Sequence, residues 1–214
     1  KPHRNLTAFL IEKPAGFGEV KPGLTIPGKI DKMGYKGIDT TELIFDGYVA
    51  EAGDVLGDAP GQGFFQMMDG IEVGRVNVAA RACGISIRAF ELAIKYAQQR
   101  KTFGKPIAEN QGLQFMLADM QAQTSAARAT YLHAARLKDA GKKFSREAAI
   151  AKLFASDTAM KVTTDAIQVL GGYGYTTDFP AERYFRDAKI TQIFEGTNQI
   201  QRMVIARDML KSLG

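Results

Sequence analysis

One carboxylate stands out by its setting. Glu195 lies in Phe194-Glu195-Gly196-Thr197, within a short link between two predicted helices. Apolar Ile190, Ile193 and Phe194 lead into it, and Gly196 lets a ligand approach the backbone closely. A carboxylate in apolar surroundings has the properties of a general base. The competing reading is a solvated loop carboxylate. Two helix ends carry further candidates. Gln168-Val169-Leu170-Gly171-Gly172-Tyr173-Gly174 has three glycines in four positions, more than a helix cap requires, so exposed backbone there could meet a flat or phosphorylated group. Arg100-Lys101-Thr102 combines cations with a hydroxyl, which suits a pyrophosphate. The alternatives are an ordinary glycine cap and complementarity to the helix dipole.

Other chemistries lack their residues. The chain has no Cys-x-x-Cys, His-Glu-x-x-His or Gly-x-Ser-x-Gly, and only His3 and His133 as histidines, so no metal site and no His-based triad is expected. Gly61-Gln62-Gly63 continues as Phe-Phe-Gln and is not a dinucleotide fingerprint. A single cysteine, Cys83, excludes an intrachain disulfide and points to a reducing compartment. The net charge of +5 is dispersed, with no polybasic run. This favours a solvated surface, then small anionic ligands, over nucleic acid. No apolar stretch is long enough to span a bilayer, and Lys1-Pro2-His3-Arg4-Asn5 opens no signal peptide. The chain begins without Met and is expected to be part of a longer or processed protein.

These groups must be held by elements the sequence also outlines. With 214 residues, 45% of them hydrophobic, there is chain enough for one or two folded domains. Character changes near residue 62. Upstream, Pro2, Pro14, Pro22, Pro27 and Pro60 frame short β-type runs, at Leu6 to Glu12 and at Glu42 to Tyr48, the latter breaking at Asp46-Gly47. Three or four antiparallel strands are expected, few for an independent sheet. Downstream the periodicity is helical. Helices are predicted over 63–101, over 107–140 with Gly141 after the end, from a capping Ser145 to the glycines at 171, from Pro180 to about Lys189, and from a capping Thr197 to Leu210. The fold class is therefore α+β: a partial antiparallel β domain over 1–60, then an up-down helical bundle over 61–214.

Taken in order, the motifs resemble those of the acyl-CoA dehydrogenases. The matching stretches are Gly61-Gln62-Gly63-Phe64, Glu72-Val73-Gly74-Arg75, Gln99 to Ile107, Gln168 to Gly174, Arg186 to Ile190, and Ile193-Phe194-Glu195-Gly196-Thr197-Asn198-Gln199-Ile200-Gln201-Arg202. Residues 1–60 resemble the second half of that family's middle β domain, through Leu6-Thr7-Ala8-Phe9 and Asp31-Lys32-Met33-Gly34. The family's N-terminal helical domain and the first half of its β domain have no counterpart here, so a fragment of the full enzyme is expected, with little flavin binding or turnover of its own.

The resemblance implies FAD-dependent oxidation of an acyl-CoA thioester to the trans-2-enoyl-CoA. A carboxylate takes the α proton while the β hydrogen leaves as hydride to flavin N5. It places Glu195 as the base. Some relatives carry their base one residue before the arginine that aligns with Arg75, and here that position is Gly74. Glu72, Arg75 and Gly196 fall on the acyl-CoA side, a surface salt bridge being the alternative for Glu72 and Arg75. Flavin contacts carry over onto Arg100, Lys101, Thr102, Asn110 and Gln111, onto Gln168, Val169, Leu170, Gly171 and Gly172, and onto Thr197, Asn198 and Gln199. The first two groups serve the flavin across a subunit interface. That implies a homotetramer built as a pair of dimers, with an electron-transfer flavoprotein as acceptor. The compartment would be the cytoplasm in a bacterium or the mitochondrial matrix in a eukaryote. An acyl-CoA oxidase-like relative and a nucleic-acid-binding branch of the family are the alternatives.

Overall fold

The computed structural model describes residues 4–57 and 59–212; Lys1 to His3 of the N-terminal reading lie outside the described residues. The chain divides into two compact units, Lys1–Ile71 and Glu72–Gly214, the division falling inside the first long helix.

In the first unit, β1 (Gly18–Lys21), β2 (Leu24–Ile26) and β3 (Ile44–Phe45) form one antiparallel sheet in that order. Leu24 and Ile26 point to one face and are buried there, each contributing about 1.5–3 kcal/mol. The hairpin between β1 and β2 turns at Pro22-Gly23. Gly23 has φ +75, and a Cβ on it would lie 2.6 Å from the carbonyl oxygen of Asp46 and the amide nitrogen of Tyr48, so both conformation and space demand glycine. The Asp46 N–H donates to the Gly23 carbonyl at 2.9 Å, tying β3's exit to the hairpin, and the chain bends at Asp46-Gly47 as its sequence predicts. Two expectations shrink. Leu6 to Glu12 is not a ladder strand: among the described residues only Phe9 bridges, to Val55, with Leu10 N–H to Asp54 O at 2.8 Å and Leu56 N–H to Ala8 O at 2.9 Å. Glu42 to Tyr48 keeps only its two central residues in strand form.

The second unit is helical. α1 (Gly63–Gln99) enters it from the first, and α2 (Gln111–Asp139), α3 (Ser145–Leu170), α4 (Ala181–Ile190) and α5 (Asn198–Ser212) follow. The bundle's interior is largely alanine: Ala79, Ala82, Ala127, Ala134, Ala148, Ala151, Ala155 and Ala159 are fully buried together. Small side chains let helix axes approach to about 8 Å. Ala127 and Ala134 are thereby assigned to packing within the chain. A second cluster joins Ala89, Ala93 and Ala97 to Leu117, Met120, Val162, Val169 and Leu170.

The helix ends refine the sequence reading. α2 starts at Gln111, four residues late, because a hairpin of β4 (Lys101–Thr102) and β5 (Lys105–Pro106) and a single tight turn at Ile107–Glu109 intervene. Ser145 does not cap α3: its hydroxyl donates instead to Glu72 Oε1 at 2.6 Å, and the backbone of Phe144 opens the helix. α2 closes in a Schellman motif, with Gly141 N–H to Lys138 O and Lys142 N–H to Leu137 O, both at 2.9 Å. Gly141 has φ +66 with open space around it. Gly141→Ala is therefore expected to cost about 1 kcal/mol from backbone conformation alone, read as a lower urea midpoint with an unchanged slope.

Candidate active site

Glu195 sits in the link between α4 and α5. Its own φ is +56, and that of Gly196 is +84. A non-glycine residue in the left-handed region costs of order 1–3 kcal/mol and persists only where its surroundings hold it. The holding group is Gln201, fully buried on the first turns of α5. Its Nε2 donates to the Glu195 carbonyl at 3.2 Å and the Gly196 carbonyl at 2.8 Å. A Cβ on Gly196 would lie 2.9 Å from that same nitrogen, so the glycine also makes room for the clamp. The turn so fixed directs the carboxylate at α1. There a Cβ on Gly74 would lie 2.7 Å from Glu195 Oε2, 2.8 Å from Cδ and 3.0 Å from Oε1. The carboxyl group is thus half-buried against the bare Cα of Gly74, not in bulk water.

Two cations face it. Arg75, next to Gly74, is 6% exposed, which excludes the surface salt bridge; its Nε has no partner among the described residues. Burial pushes its guanidinium pKa down, against the opposing charges of Glu72 and Glu195. Lys152 on α3 is fully buried, and its ammonium is pushed down to about 8, chiefly by burial, with Asp157 and Glu195 opposing the shift and Arg75 adding to it. Lys152 Nζ donates to Asn198 Oδ1 at 2.8 Å, and Asn198 Nδ2 donates to Ser156 Oγ at 2.9 Å and Asp157 Oδ1 at 2.7 Å. Asp157 also accepts Gln192 Nε2 at 2.6 Å and Arg202 at 3.2 Å.

The Lys152 shift carries a sign for stability. Between pH 8 and 10.5 the unfolded chain holds the Lys152 proton while the folded one has released it, so this residue's contribution to stability rises with pH. The urea midpoint of the native protein is expected to gain on that of Lys152→Met as pH climbs through this window.

The other sequence candidates fall in two places. Arg100, Thr102, Val169, Leu170, Gly171 and Gly172 line one open cleft with Tyr96, Ile107, Tyr173 and Thr176. A Cβ on Gly171 or Gly172 would meet nothing within 4 Å, so their backbone faces open space. Gly174 is different: a Cβ there would lie 2.5 Å from the Ile167 carbonyl, and its role is packing. The hairpin brings Arg100 and Thr102 to this cleft through a turn at Phe103 (φ +51) and Gly104 (φ +82), closed by Ile107 N–H to Arg100 O at 2.9 Å. Lys101, Asn110, Gln111 and Gln168 are exposed; Asn110 Nδ2 donates to the Ile107 carbonyl at 3.0 Å. A cation, a hydroxyl and bare glycine backbone on one cleft fit the pyrophosphate and flat ring of a dinucleotide cofactor.

The second place is the start of α5. Thr197 precedes the helix as its sequence predicts, its Oγ1 accepting the Ile200 N–H at 3.4 Å, and Gln199 is exposed. Asn198 is only 4% exposed and its side chain is engaged inside the chain. Glu72 binds Ser145 and lies one turn before Arg75. Sequence reasoning missed Lys152 and Gln201. For Lys152 a signal exists: it stands at four-residue spacing between Ala148 and Ser156 on the buried face of α3.

A helical bundle with a carboxylate at a helix joint and an anion-fitting cleft at another helix end is the class that fold and site define. Comparisons with known proteins agree. Residues 61–210 match the family model for the acyl-CoA dehydrogenase C-terminal domain. An acyl-CoA dehydrogenase of Bacillus subtilis is 48% identical over 205 residues, 96% of this chain and 52% of that protein. The structure of butyryl-CoA dehydrogenase from Megasphaera elsdenii superposes with a TM-score of 0.92 at 45% identity, covering 98% of this chain and 53% of that one. A chain in the structure of the electron transferring flavoprotein of Acidaminococcus fermentans gives 0.91 at 48% identity, covering 97% and 53%. The chain belongs to the acyl-CoA dehydrogenase family, whose members are FAD-dependent oxidoreductases. It spans about half the length of the curated relatives it matches. Relatives occur both in bacteria and in mitochondria. No helix among the described residues is long and apolar enough to cross a membrane.

Proposed function

We propose that this chain is the base-bearing, cofactor-holding part of an enzyme that dehydrogenates an acyl-CoA thioester to the trans-2-enoyl-CoA. One observation carries the reading: the Glu195 carboxylate, on a left-handed turn clamped by Gln201, is seated against Gly74 with Arg75 and Lys152 as buried neighbouring cations. Such a carboxylate is an α-proton acceptor whose position is set by the backbone rather than by side-chain rotamer alone. The α C–H electron pair moves toward the β carbon as Glu195 takes the proton. Charge that develops on the thioester oxygen needs a donor, and the Glu195 backbone N–H has no acceptor among the described residues. Arg75, Glu72 and Gly196 border the acyl-CoA side.

FAD, when bound, supplies the hydride acceptor for the β hydrogen. Arg100, Thr102 and the Gly171-Gly172 backbone would hold its anionic and planar parts, with Lys101, Asn110, Gln111 and Gln168 at the rim and Thr197 to Gln199 contributing from the side of the base. Within the family this division accompanies a homotetramer, a pair of dimers, and we extend that assembly to this protein. The match to the Acidaminococcus fermentans flavoprotein structure supports an electron-transfer flavoprotein as acceptor. The test is direct. The FAD-loaded enzyme carrying this chain, mixed anaerobically with a ladder of acyl-CoA lengths, is expected to lose its flavin absorbance and form enoyl-CoA with at least one of them. Unchanged absorbance across the ladder would overturn the reading.

A further inference from the structure

The proposed chemistry uses Glu195 and leaves Lys152 without a task. Yet Lys152 is a fully buried cation, and burying an ammonium is unfavourable unless its charge serves something. Among the described residues its ammonium donates to Asn198, the first residue of α5 and the third after Glu195. Gln201, three residues further on the same buried side of α5, clamps the carbonyls of Glu195 and Gly196. Lys152 is thus linked to the base twice, through the first turn of α5 and through charge.

We propose, building on the reading of Glu195 as the base, that Lys152 is a positioning residue for it. Its buried ammonium anchors the start of α5 through Asn198 and so holds the turn that seats the Glu195 carboxylate against Gly74.

The surrounding charges are consistent with this role. Asp157 lies one turn along α3, but its oxygens are taken by Asn198, Gln192 and Arg202. Arg75 from α1 repels Lys152, and Arg202 from α5 is ion-paired to Asp157 at 3.2 Å. Asp157 is the larger opposing charge on Lys152 and Glu195 the smaller. Arg75 borders the acyl-CoA side, whereas Lys152 lies behind α5 and works through the base.

The experiment compares the FAD-loaded enzyme with its Lys152→Met and Asn198→Ala variants. It reads kcat and KM for the best acyl-CoA from pH 5 to 9, with Glu195→Gln run alongside. Met matches the lysine stem in length, and Asn198 Nδ2 keeps Ser156 and Asp157 as acceptors, so the fold is expected to survive. In Lys152→Met kcat is expected to fall by roughly tenfold, with KM within about twofold of native and flavin content unchanged. Asn198→Ala removes the other end of the same hydrogen bond, so it is expected to show the same loss, and the double variant no more than either. Should Lys152→Met not fold, Lys152→Gln, which retains a donor for Asn198, is expected to keep most of the native kcat. Native kcat in Lys152→Met, or a loss confined to KM, overturns the proposal. If Glu195→Gln is inactive while Lys152→Met turns over normally, only the Lys152 role falls. If Glu195→Gln turns over normally, the base assignment falls first.

Discussion

Glu195→Gln is expected to abolish acyl-CoA dehydrogenation while leaving the folded chain and its flavin in place. The amide has the shape of the carboxyl group, so it can occupy the same space against Gly74, and Gln201 continues to clamp the same two carbonyls. On the proposed reading, what disappears is the proton acceptor. A positioned general base contributes about 10²–10⁴-fold, so kcat is expected to fall by that order with KM little changed. A smaller effect accompanies it. Arg75 and Lys152 are both supported in their charged forms by Glu195. Removing that charge leaves two buried cations less compensated, so a modest loss of stability is expected that shrinks as Lys152 releases its proton above pH 8. Flavin absorbance, enoyl-CoA formation and exchange of the substrate α proton with deuterated water separate these effects. Native turnover or native exchange would remove Glu195 from the mechanism.

Much of this arrangement was readable in the residues, and the reasons differ by element. The long helices announce themselves because alanine and leucine at three- and four-residue spacing leave no other regular structure that buries them. Their ends were readable where glycine or proline dictates the backbone, at Gly141, Gly171 and Pro180, and misread where the cue was a polar side chain. Ser145 has the type of a helix cap, but its hydroxyl finds Glu72 across the bundle, a partner that local sequence does not reveal. The start of α2 was masked because Lys105-Pro106 reads as a simple stop, whereas the chain there makes a two-stranded hairpin through left-handed Phe103 and Gly104. In the first unit, Leu6 to Glu12 has strand composition, but composition carries no information on pairing, and only Phe9 finds a bridge.

The site divides in the same way. Glu195 was legible because a carboxylate beside glycine, after three apolar residues, is locally odd. Lys152 and Gln201 escape notice, because each is polar and sequence patterning assigns polar residues to solvent, and Asn198 enters only through the family resemblance, as a flavin contact. α5 inverts that rule: Asn198 and Gln201 face inward while Met203, Met209 and Leu210 lie largely exposed. Its fully buried positions are polar and hydrogen-bonded, and hydropathy is blind to those.

The sharpest test of the geometry is a methyl group. Gly74→Ala in the interior of α1 would ordinarily be neutral or stabilising by up to about 1 kcal/mol, since alanine is the better helix former and Gly74 has ordinary helical backbone. Here the new Cβ would stand 2.7 Å from Glu195 Oε2 and 2.8 Å from Cδ. Those atoms end a flexible side chain, so the carboxyl group yields rather than the helix, and the protein is expected to keep its melting temperature. Catalysis is less tolerant: displacing a reacting group by about 1 Å costs on the order of 10²-fold. A hundredfold loss of kcat at unchanged stability and flavin content is therefore expected from steady-state kinetics and thermal unfolding of the same preparation. The contact also gives a physical basis for the two base positions that the family resemblance implies. The side-chain volume of residue 74 and the carboxylate of residue 195 fill one space, so a chain that places its base at either position needs the other small or turned away. Native turnover in Gly74→Ala would mean that the carboxylate works from somewhere other than this seat.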